Sequence, residues 1–338
     1  MMRGLLAPLG WLYGGAMRLR NLAFDRGVFR QQQVDVPVIS VGNLNAGGTG
    51  KTPLVEHLAN NFLRDKYTVG VVSRGYKRQS SGQVIVSRGE GPVVSVREAG
   101  DEPYMLSLLA PELRVVVNAD RVQGATTLMR KFDVDIILMD DGFQHRSLAR
   151  DIDIVIVPAE DLVTKESVIP AGRLREPWSG LDRATHVLIA EENKKEDSHE
   201  KILHKYTDAH LFHGKKLTSS TLKNPVRGES LPLSEFEFAS PVFAIAGIGY
   251  PEKFQRALRQ LPLVLKTFRR YPDHHYYTLK EQRDLLTQMQ KHGADMLVMT
   301  AKDFVKWDKT LLAENPVYYL SVEYQISPSL YESVIAAL

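Results

Sequence analysis

Short apolar runs alternate with amphipathic stretches over the first 190 residues of the chain. The runs predict buried strands at 36–41, 68–73, 114–117, 135–139, 152–157 and 187–190. Patterns with helical spacing separate many of them, at 53–65, 103–109 and 120–132. Such alternation predicts a mostly parallel sheet that is sandwiched by helices.

The pattern changes after residue 190. A charged stretch at 191–205 is followed by a polar cluster near 215–235, which we interpret as a domain boundary. Apolar runs then resume at 242–248, 263–268, 296–300 and 317–322, and they predict a second, smaller α/β domain. We therefore predict an N-terminal segment at 1–30, a main domain at 31–222 and a C-terminal domain at 223–338.

Composition narrows the function classes. With 338 residues, 43% of them hydrophobic and 25% charged, the chain is typical of a globular protein of about two domains. A net charge of only +3 gives no bulk polycation, so we expect no nucleic-acid partner. The absence of cysteine excludes disulfides, thiolate metal sites and cysteine nucleophiles.

The N-terminal segment contains an apolar stretch at 5–17 that arginines flank. This stretch is shorter than the roughly 20 apolar residues that a transmembrane helix needs. Two interpretations fit it equally. It is an amphipathic helix lying on an anionic membrane surface, or it is a helix packed on its own domain.

A glycine-rich loop between the first strand and the first helix of the main domain predicts a phosphate-binding P-loop. Its candidate nucleotide-binding residues are Asn45, Ala46, Gly47, Gly48, Thr49, Gly50, Lys51 and Thr52. Lys51 would reach the β- and γ-phosphates, and the Thr52 hydroxyl would bind Mg²⁺. Asn45 stands where the strict motif has glycine, and we expect it to be tolerated because asparagine accepts left-handed backbone angles.

Asp140 and Asp141 end the apolar strand at 135–139, which is the Walker-B arrangement that holds Mg²⁺ beside a P-loop. The alternative is that these acids cap a turn. Gln144 and His145 follow at the same edge of the sheet, where α/β folds bind ligands. Each is a candidate for a direct role or for a simple turn residue.

Three further polar residues are candidates for catalysis. Asp101 either caps a helix or accepts a proton from an attacking hydroxyl group. Arg121 is either a surface arginine or a group that neutralises a phosphoryl charge. His274 lies in an aromatic, histidine-rich segment at 271–277 and is a candidate to orient an active-site acid.

Taken together, these segments resemble the tetraacyldisaccharide 4′-kinase family, which phosphorylates a lipid A precursor in Gram-negative bacteria. The matching residues run in family order along nearly the whole chain: Ser40–Asn43, Gly47–Pro53, Gly100–Pro103, Asp120–Arg121, Asp140–His145, Leu174–Pro177, Pro272–His275 and Thr300–Asp303. The absence of glycine at position 45 also resembles the family, whose members usually lack glycine there.

The resemblance implies transfer of the ATP γ-phosphate to the 4′-hydroxyl of a tetraacyl glucosamine disaccharide 1-phosphate. It implies that Asp101 is the catalytic base with His274 as its partner, and that Arg121 and Gln144 are active-site residues, with Arg175 a weaker candidate. Asp140, Asp141 and Glu176 match the carboxylates assigned to Mg²⁺ or its surroundings. Because Asp101 and His274 belong to different predicted domains, we expect them to meet only when the domains close.

The resemblance also favours the membrane interpretation of the N-terminal segment. It implies a peripheral or monotopic enzyme, expected as a monomer, at the cytoplasmic face of the bacterial inner membrane, with ATP and Mg²⁺ as cofactors. The alternative from another class is a regulatory P-loop GTPase or ATPase switch. Its guanine-reading motif is matched only by residues 193–196, where Glu196 replaces the usual aspartate.

Overall fold

The computed structural model describes residues 2–191, 197–236 and 240–338, so the segment 193–196 lies outside the described residues. The strands are β1 (Val38–Asn43), β2 (Val69–Ser73), β3 (Val84–Arg88), β4 (Arg114–Val117), β5 (Ile136–Asp140), β6 (Ile152–Pro158), β7 (His186–Glu191), β8 (His210–Asn224), β9 (Glu229–Pro232), β10 (Ser240–Ala246), β11 (Leu263–Arg270), β12 (Met296–Thr300) and β13 (Val317–Ile326).

The helices are α1 (Met2–Asp25), α2 (Lys51–Arg64), α3 (Val96–Ala99), α4 (Asp101–Leu109), α5 (Arg121–Phe132), α6 (Ala159–Thr164), α7 (Asp197–Leu203), α8 (Pro251–Leu258), α9 (Leu279–Lys291), α10 (Ala301–Phe304), α11 (Lys309–Glu314) and α12 (Ser329–Ala336). Short 3₁₀ helices lie at Trp178–Arg183 and Leu233–Glu235.

The described strands form one sheet in the order β11-β10-β12-β13-β8-β7-β6-β1-β5-β2-β4-β3, with β9 paired to β8. Most neighbours are parallel, and the antiparallel pairs are β3 with β4, β8 with β13, and β8 with β9. The central strand β1 is buried along its whole length, as expected for a strand covered on both faces. The predicted fold class, a mostly parallel α/β sheet of the P-loop type, is confirmed.

The register of β1 places the P-loop beside the acidic strand end. β1 lies between β5 and β6 and is parallel to both, with Val41 opposite Asp140 on β5. Parallel strands bring their carboxyl ends to the same edge of a sheet. The loop after β1 and the acids at the end of β5 are therefore neighbours.

The polar segment that we interpreted as a boundary forms most of β8. This strand pairs in parallel with β7 through its first half and antiparallel with β13 through its second half. Its threonine residues suit a strand, and each half of β8 has a partner strand that takes up backbone hydrogen bonds despite the polar side chains. The sheet thus continues across position 222, and the division into domains stays a prediction.

A shared hydrophobic cluster also joins the two halves of the chain. Phe62 of α2 belongs to the same cluster as Tyr324 of β13 and Leu330 and Val334 of α12. The rings of Phe62 and Tyr331 meet edge to face, with their centroids 5.0 Å apart. The C-terminal helix is therefore packed against the helix that follows the P-loop.

Helix α1 packs on the protein through one face only. The Tyr13 hydroxyl donates to the main-chain oxygen of Arg175 (2.8 Å), and Asn21 Nδ2 donates to Glu176 Oε2 (3.0 Å). The opposite face carries apolar side chains that are largely exposed: Leu9, Trp11, Leu12, Leu19 and Leu22. None of the described helices is both long and apolar enough to cross a bilayer.

Candidate active site

The loop between β1 and α2 has the backbone of an anion site. Gly47 and Gly50 have φ values of 151° and 96°, in the region that favours glycine. Helix α2 begins directly after Gly50 without a side-chain cap, and the amide of Leu54 makes a helical bond to the Gly50 oxygen. The backbone amides that precede Leu54 at the start of the helix lack an intrahelical acceptor, and the helix N-terminus carries partial positive charge. This loop can therefore hold a phosphate group.

Asn45 is accommodated for a different reason from the one we expected. It is not among the residues with positive φ, so it does not use a left-handed conformation. Its backbone instead forms an antiparallel bridge with Leu174, and its side-chain amide donates to the buried carboxylate of Asp161. The flanking amides of Ala46 and Arg175 donate to the oxygens of Arg173 (2.7 Å) and Leu44 (2.6 Å). This segment thus fixes the first half of the P-loop.

A three-residue charge cluster lies at the start of α2. Lys51 Nζ is 3.4 Å from Asp141 Oδ1, and the Arg175 guanidinium contacts both Asp141 oxygens at 2.9 and 3.0 Å. Burial raises the pKa of Asp141, but Lys51 and Arg175 outweigh burial, so the pKa lies below its usual value. Asp141 is therefore an anion beside the predicted phosphate position.

Asp140 is a buried acid that forms no direct ion pair among the described residues. It is 1% exposed, and within the described part of the chain its Oδ1 atom has no hydrogen-bond partner. Burial, with smaller contributions from Glu102 and Asp141, raises the pKa of Asp140 to about 7. The candidate ligands are the unpartnered Asp140 oxygen, the carboxylate of Asp141 and the hydroxyl of the buried Thr52. All three are hard oxygen donors, which Mg²⁺ prefers.

The side chain of Glu176 is already fully engaged. Arg183 forms a bidentate ion pair with it, with two N–O distances of 2.8 Å, and Gln144 and Asn21 donate to the same two oxygens at 2.7 and 3.0 Å. Burial raises the pKa of Glu176, but the Arg183 contacts outweigh burial and lower it. These contacts favour a structural anchor over the metal role that we predicted, which stays a prediction.

Gln144 is half-buried, and its side-chain amide links neighbouring residues of the site. Its side-chain amide donates to the Asn43 oxygen (2.9 Å) and to Glu176, and its own oxygen accepts from Arg175 (3.3 Å). Gln144 thus joins the end of β1 to the loop that contains Arg175 and Glu176. The structure brings these predicted residues together through this side chain.

Arg121 is a buried guanidinium without an acid partner among the described contacts. It donates to the main-chain oxygens of Ala119 (3.0 Å) and Asn118 (3.4 Å), and its Nε atom has no hydrogen-bond partner among the residues that the structure describes. Burial, with Arg74, lowers the pKa of Arg121 to about 10. Burial, with Arg121, lowers the pKa of the adjacent His145 to about 4, so His145 is neutral near pH 7. A buried cation of this kind suits an anionic ligand.

Asp101 and His274 are in direct contact. His274 Nδ1 is 2.9 Å from Asp101 Oδ2, and the Tyr276 hydroxyl donates to Asp101 Oδ1 at 3.3 Å. Burial raises the pKa of Asp101, but His274 and Lys306 outweigh burial and lower it. The two residues that we expected to meet only on closure are thus already in contact, because the C-terminal half packs directly against α4.

Sequence reasoning missed the cations that hold these acids. Lys306 Nζ is 3.0 Å from Asp101 Oδ2, and Lys302 forms an ion pair with Glu102. The signal was available in part, since Lys302 lies inside a segment that we matched to the family. Lys306 follows one helical turn later, but its partner is about 200 positions away in the sequence, and only the fold identifies it.

Comparisons with known proteins agree with this geometry. The family described as "Tetraacyldisaccharide-1-P 4'-kinase" matches residues 2–338. A tetraacyldisaccharide 4′-kinase of Desulfotalea psychrophila is 35% identical, with 98% of this chain and 97% of the relative covered. One from Chlorobaculum parvum is 37% identical, with 92% and 85% covered. A crystal structure of LpxK from Aquifex aeolicus in complex with ATP has a TM-score of 0.80 at 31% identity, covering 100% of this chain and 99% of that one.

Asp140→Asn should stabilise the metal-free protein at about pH 8. Between about pH 4 and about pH 7 the folded state binds more protons at Asp140 than the unfolded state does, so stability falls as the pH rises through this window. Asparagine removes the buried charge, and the gain should shrink as the pH approaches about 4. Thermal denaturation in EDTA measures it.

The exposed acid Asp133 provides the matched control, since Asp133→Asn removes a carboxylate without removing a buried charge. This control should show no pH-dependent gain. A melting temperature of Asp140→Asn at or below that of the parent protein at about pH 8 would contradict the assignment of Asp140 as an uncompensated buried anion.

Proposed function

The chain belongs to the tetraacyldisaccharide 4′-kinase family, and we propose that it transfers the γ-phosphate of ATP to the 4′-hydroxyl of a tetraacyl glucosamine disaccharide 1-phosphate, a late step of lipid A biosynthesis. The observation that carries this proposal is a P-loop lysine beside two strand-end acids, with an Asp–His pair in the same site. The family assignment favours this kinase over the regulatory switch.

ATP would be held by the glycine-rich loop 47–50 through its backbone and by Lys51 through its ammonium group, while Asn45 and Ala46 anchor the start of the loop. The Thr52 hydroxyl and the carboxylates of Asp140 and Asp141 would hold Mg²⁺ together with phosphate oxygens. Mg²⁺ supplies charge neutralisation between the phosphates during transfer. Because Lys51 already lies against Asp141, that pair pre-positions the ammonium group at the mouth of the loop.

The contacts of Asp101 favour His274 as the proton acceptor. Asp101 lies against His274, Lys306 and the hydroxyl of Tyr276, so it is well compensated and a weak base. With Nδ1–H donating to Asp101, His274 keeps a lone pair on Nε2. The 4′-oxygen would attack the γ-phosphorus as the bond to the β–γ bridging oxygen breaks, and the hydroxyl proton would pass to Nε2. Asp101 would orient the ring and stabilise the imidazolium that forms.

Arg121 would bind a phosphate group in the site through its guanidinium. Its guanidinium is buried and donates only to main-chain oxygens in the described contacts, and it has a donor left over. An anionic group would satisfy that donor and recover the cost of burying the cation. We assign this anion to the transferring phosphoryl group or to a phosphate of the substrate.

Helix α1 would bring the enzyme to its lipid substrate. Trp11, Leu12 and Leu19 are 77%, 72% and 70% exposed on the face turned away from the protein. An apolar stripe of this kind on a helix that does not span the bilayer suits the membrane interface, with arginines reaching anionic headgroups. We propose a monomeric peripheral enzyme at the cytoplasmic face of the inner membrane.

The function is tested by incubating the pure protein with labelled ATP, Mg²⁺ and the disaccharide 1-phosphate in detergent. The expected product is the labelled 1,4′-bisphosphate, and Lys51→Ala should abolish it. A wild-type protein that binds ATP yet never labels the disaccharide would refute the kinase proposal.

Asp101→Asn and His274→Gln should each lower kcat by about 100-fold or more, because both disrupt general-base catalysis. ATP affinity should stay nearly unchanged, because neither residue belongs to the P-loop. The measurement is kcat from steady-state kinetics together with the Kd for ATP. A wild-type kcat in Asp101→Asn would exclude Asp101 from proton transfer, and an equal loss of ATP binding would indicate misfolding.

Leu12→Glu combined with Leu19→Glu should weaken binding to vesicles that contain anionic lipid, because two charges would enter the apolar interface. Activity on a detergent-dispersed substrate should be less affected than activity on vesicles. Sedimentation with vesicles measures the binding. Val163→Glu on α6, another exposed apolar position at 64% exposure, is the control and should bind normally. Unchanged vesicle binding by the double variant would exclude α1 as the membrane contact.

A further inference from the structure

Lys306 is a buried cation whose nearest acid belongs to the active site. Its side chain has 0% exposure, and its Nζ lies 3.0 Å from Asp101 Oδ2 and 3.9 Å from Asp303 Oδ1. A lysine with no access to water is costly unless an anion compensates it. The shorter distance identifies Asp101 as that anion.

Asp303 is occupied by other donors. It accepts from the Thr300 hydroxyl (2.6 Å), the Tyr277 hydroxyl (3.0 Å) and the Gly247 amide (3.1 and 3.2 Å). The Gly247 oxygen in turn accepts from the His274 amide at 3.1 Å. The segment around α10 therefore anchors the backbone of His274 through Gly247, and it also places Lys306 next to Asp101.

The same oxygen of Asp101 faces both His274 and Lys306. Oδ2 is 2.9 Å from His274 Nδ1 and 3.0 Å from Lys306 Nζ, which leaves Oδ1 for the hydroxyl of Tyr276. The ammonium group also lies 5.8 Å from the centre of the Tyr276 ring. The ring N–H of His274 and the ammonium group of Lys306 face one oxygen, and together they fix the rotation of the carboxylate and so the direction in which His274 is held.

We propose that Lys306 is a positioning residue for phosphoryl transfer, whose ammonium keeps the Asp101 carboxylate ionised and directed at His274. This inference rests on the proposed kinase function. Burial alone raises the pKa of Asp101, and Lys306 is one of the groups that outweigh burial. The charged and titratable groups around the pair are His274, Tyr276 and Lys302, with Asp273 facing His274 and Asp303 facing Lys306.

The test is the pH profile of kcat/KM for the disaccharide 1-phosphate at saturating ATP, from about pH 4 to about pH 9. In Lys306→Met, Asp101 should stay protonated to a higher pH, so the acid limb should move upward by roughly one pH unit, which corresponds to about tenfold lower activity on that limb. Part of the activity should return at high pH. A loss from misplaced packing alone would lower the curve equally at every pH.

Two variants serve as references. Lys306→Arg keeps the positive charge, so its acid limb should lie at the wild-type position, even where its larger side chain lowers kcat. Lys309→Met removes an exposed lysine three positions later and should leave the profile unchanged. The Kd for ATP should be the same in all three variants, because Lys306 does not touch the P-loop in the described contacts.

Should Lys306→Met not fold, Asp101→Asn combined with Lys306→Met removes both buried charges together and should be more stable than either single variant. Its kcat should equal that of Asp101→Asn, since Lys306 acts only through Asp101. An unshifted acid limb in folded Lys306→Met, or a double variant roughly tenfold slower than Asp101→Asn, would overturn the inference. An inactive wild-type protein would instead refute the kinase function itself.

Discussion

Negative charge buried at one edge of the sheet is the constraint that organises this protein. Five carboxylates gather there, of which Asp101, Asp140 and Glu176 are buried and Glu102 and Asp141 are half-buried. A buried carboxylate is tolerated only where a cation or hydrogen-bond donors compensate it. Apart from Arg183, which is seven residues from Glu176, the compensating groups come from segments far away in the sequence, so neutralising the site requires distant parts of the chain to fold together.

Each compensation ties a different part of the chain to the site. Lys302 and Lys306 bring the segment around α10 to the start of α4, and Arg183 pairs with Glu176 within the segment between α6 and β7. Asn21 adds α1 to the same carboxylate. Asp140 is the exception, since one of its oxygens has no partner and its pKa is raised to about 7. The acid that the protein leaves uncompensated is the one that a divalent cation would complete.

The network also joins helix α1 to the chemistry. The inner face of α1 donates to Glu176 and to the main-chain oxygen of Arg175, whose side chain holds Asp141 against Lys51. The outer face of the same helix is apolar and exposed. A single helix thus satisfies a buried acid on one side and presents an exposed apolar surface on the other. Packing on its own domain, one of the two alternatives, is observed, and the membrane alternative stays a prediction about the opposite face.

The sequence by itself determined the strand–loop–helix of the P-loop, the mostly parallel sheet and the family, because these depend on local apolar periodicity and on ordered short motifs. It also determined that the strand end at Asp140 and Asp141 would face the P-loop, since parallel strands share an edge. The long polar strand β8 escaped prediction, because backbone pairing with two neighbours outweighs its side-chain polarity.

Only the tertiary structure decided how the individual polar groups are paired. Asn45 is held by Asp161 rather than by a left-handed backbone, Glu176 is saturated by Arg183, and Asp101 is paired with Lys306 as well as with His274. Ion pairs and hydrogen bonds depend on distances of about 3 Å between residues that are far apart in the sequence, and no local pattern encodes such distances. The sequence therefore determined which chemical groups the site contains, whereas folding determined which charged groups are paired with each other.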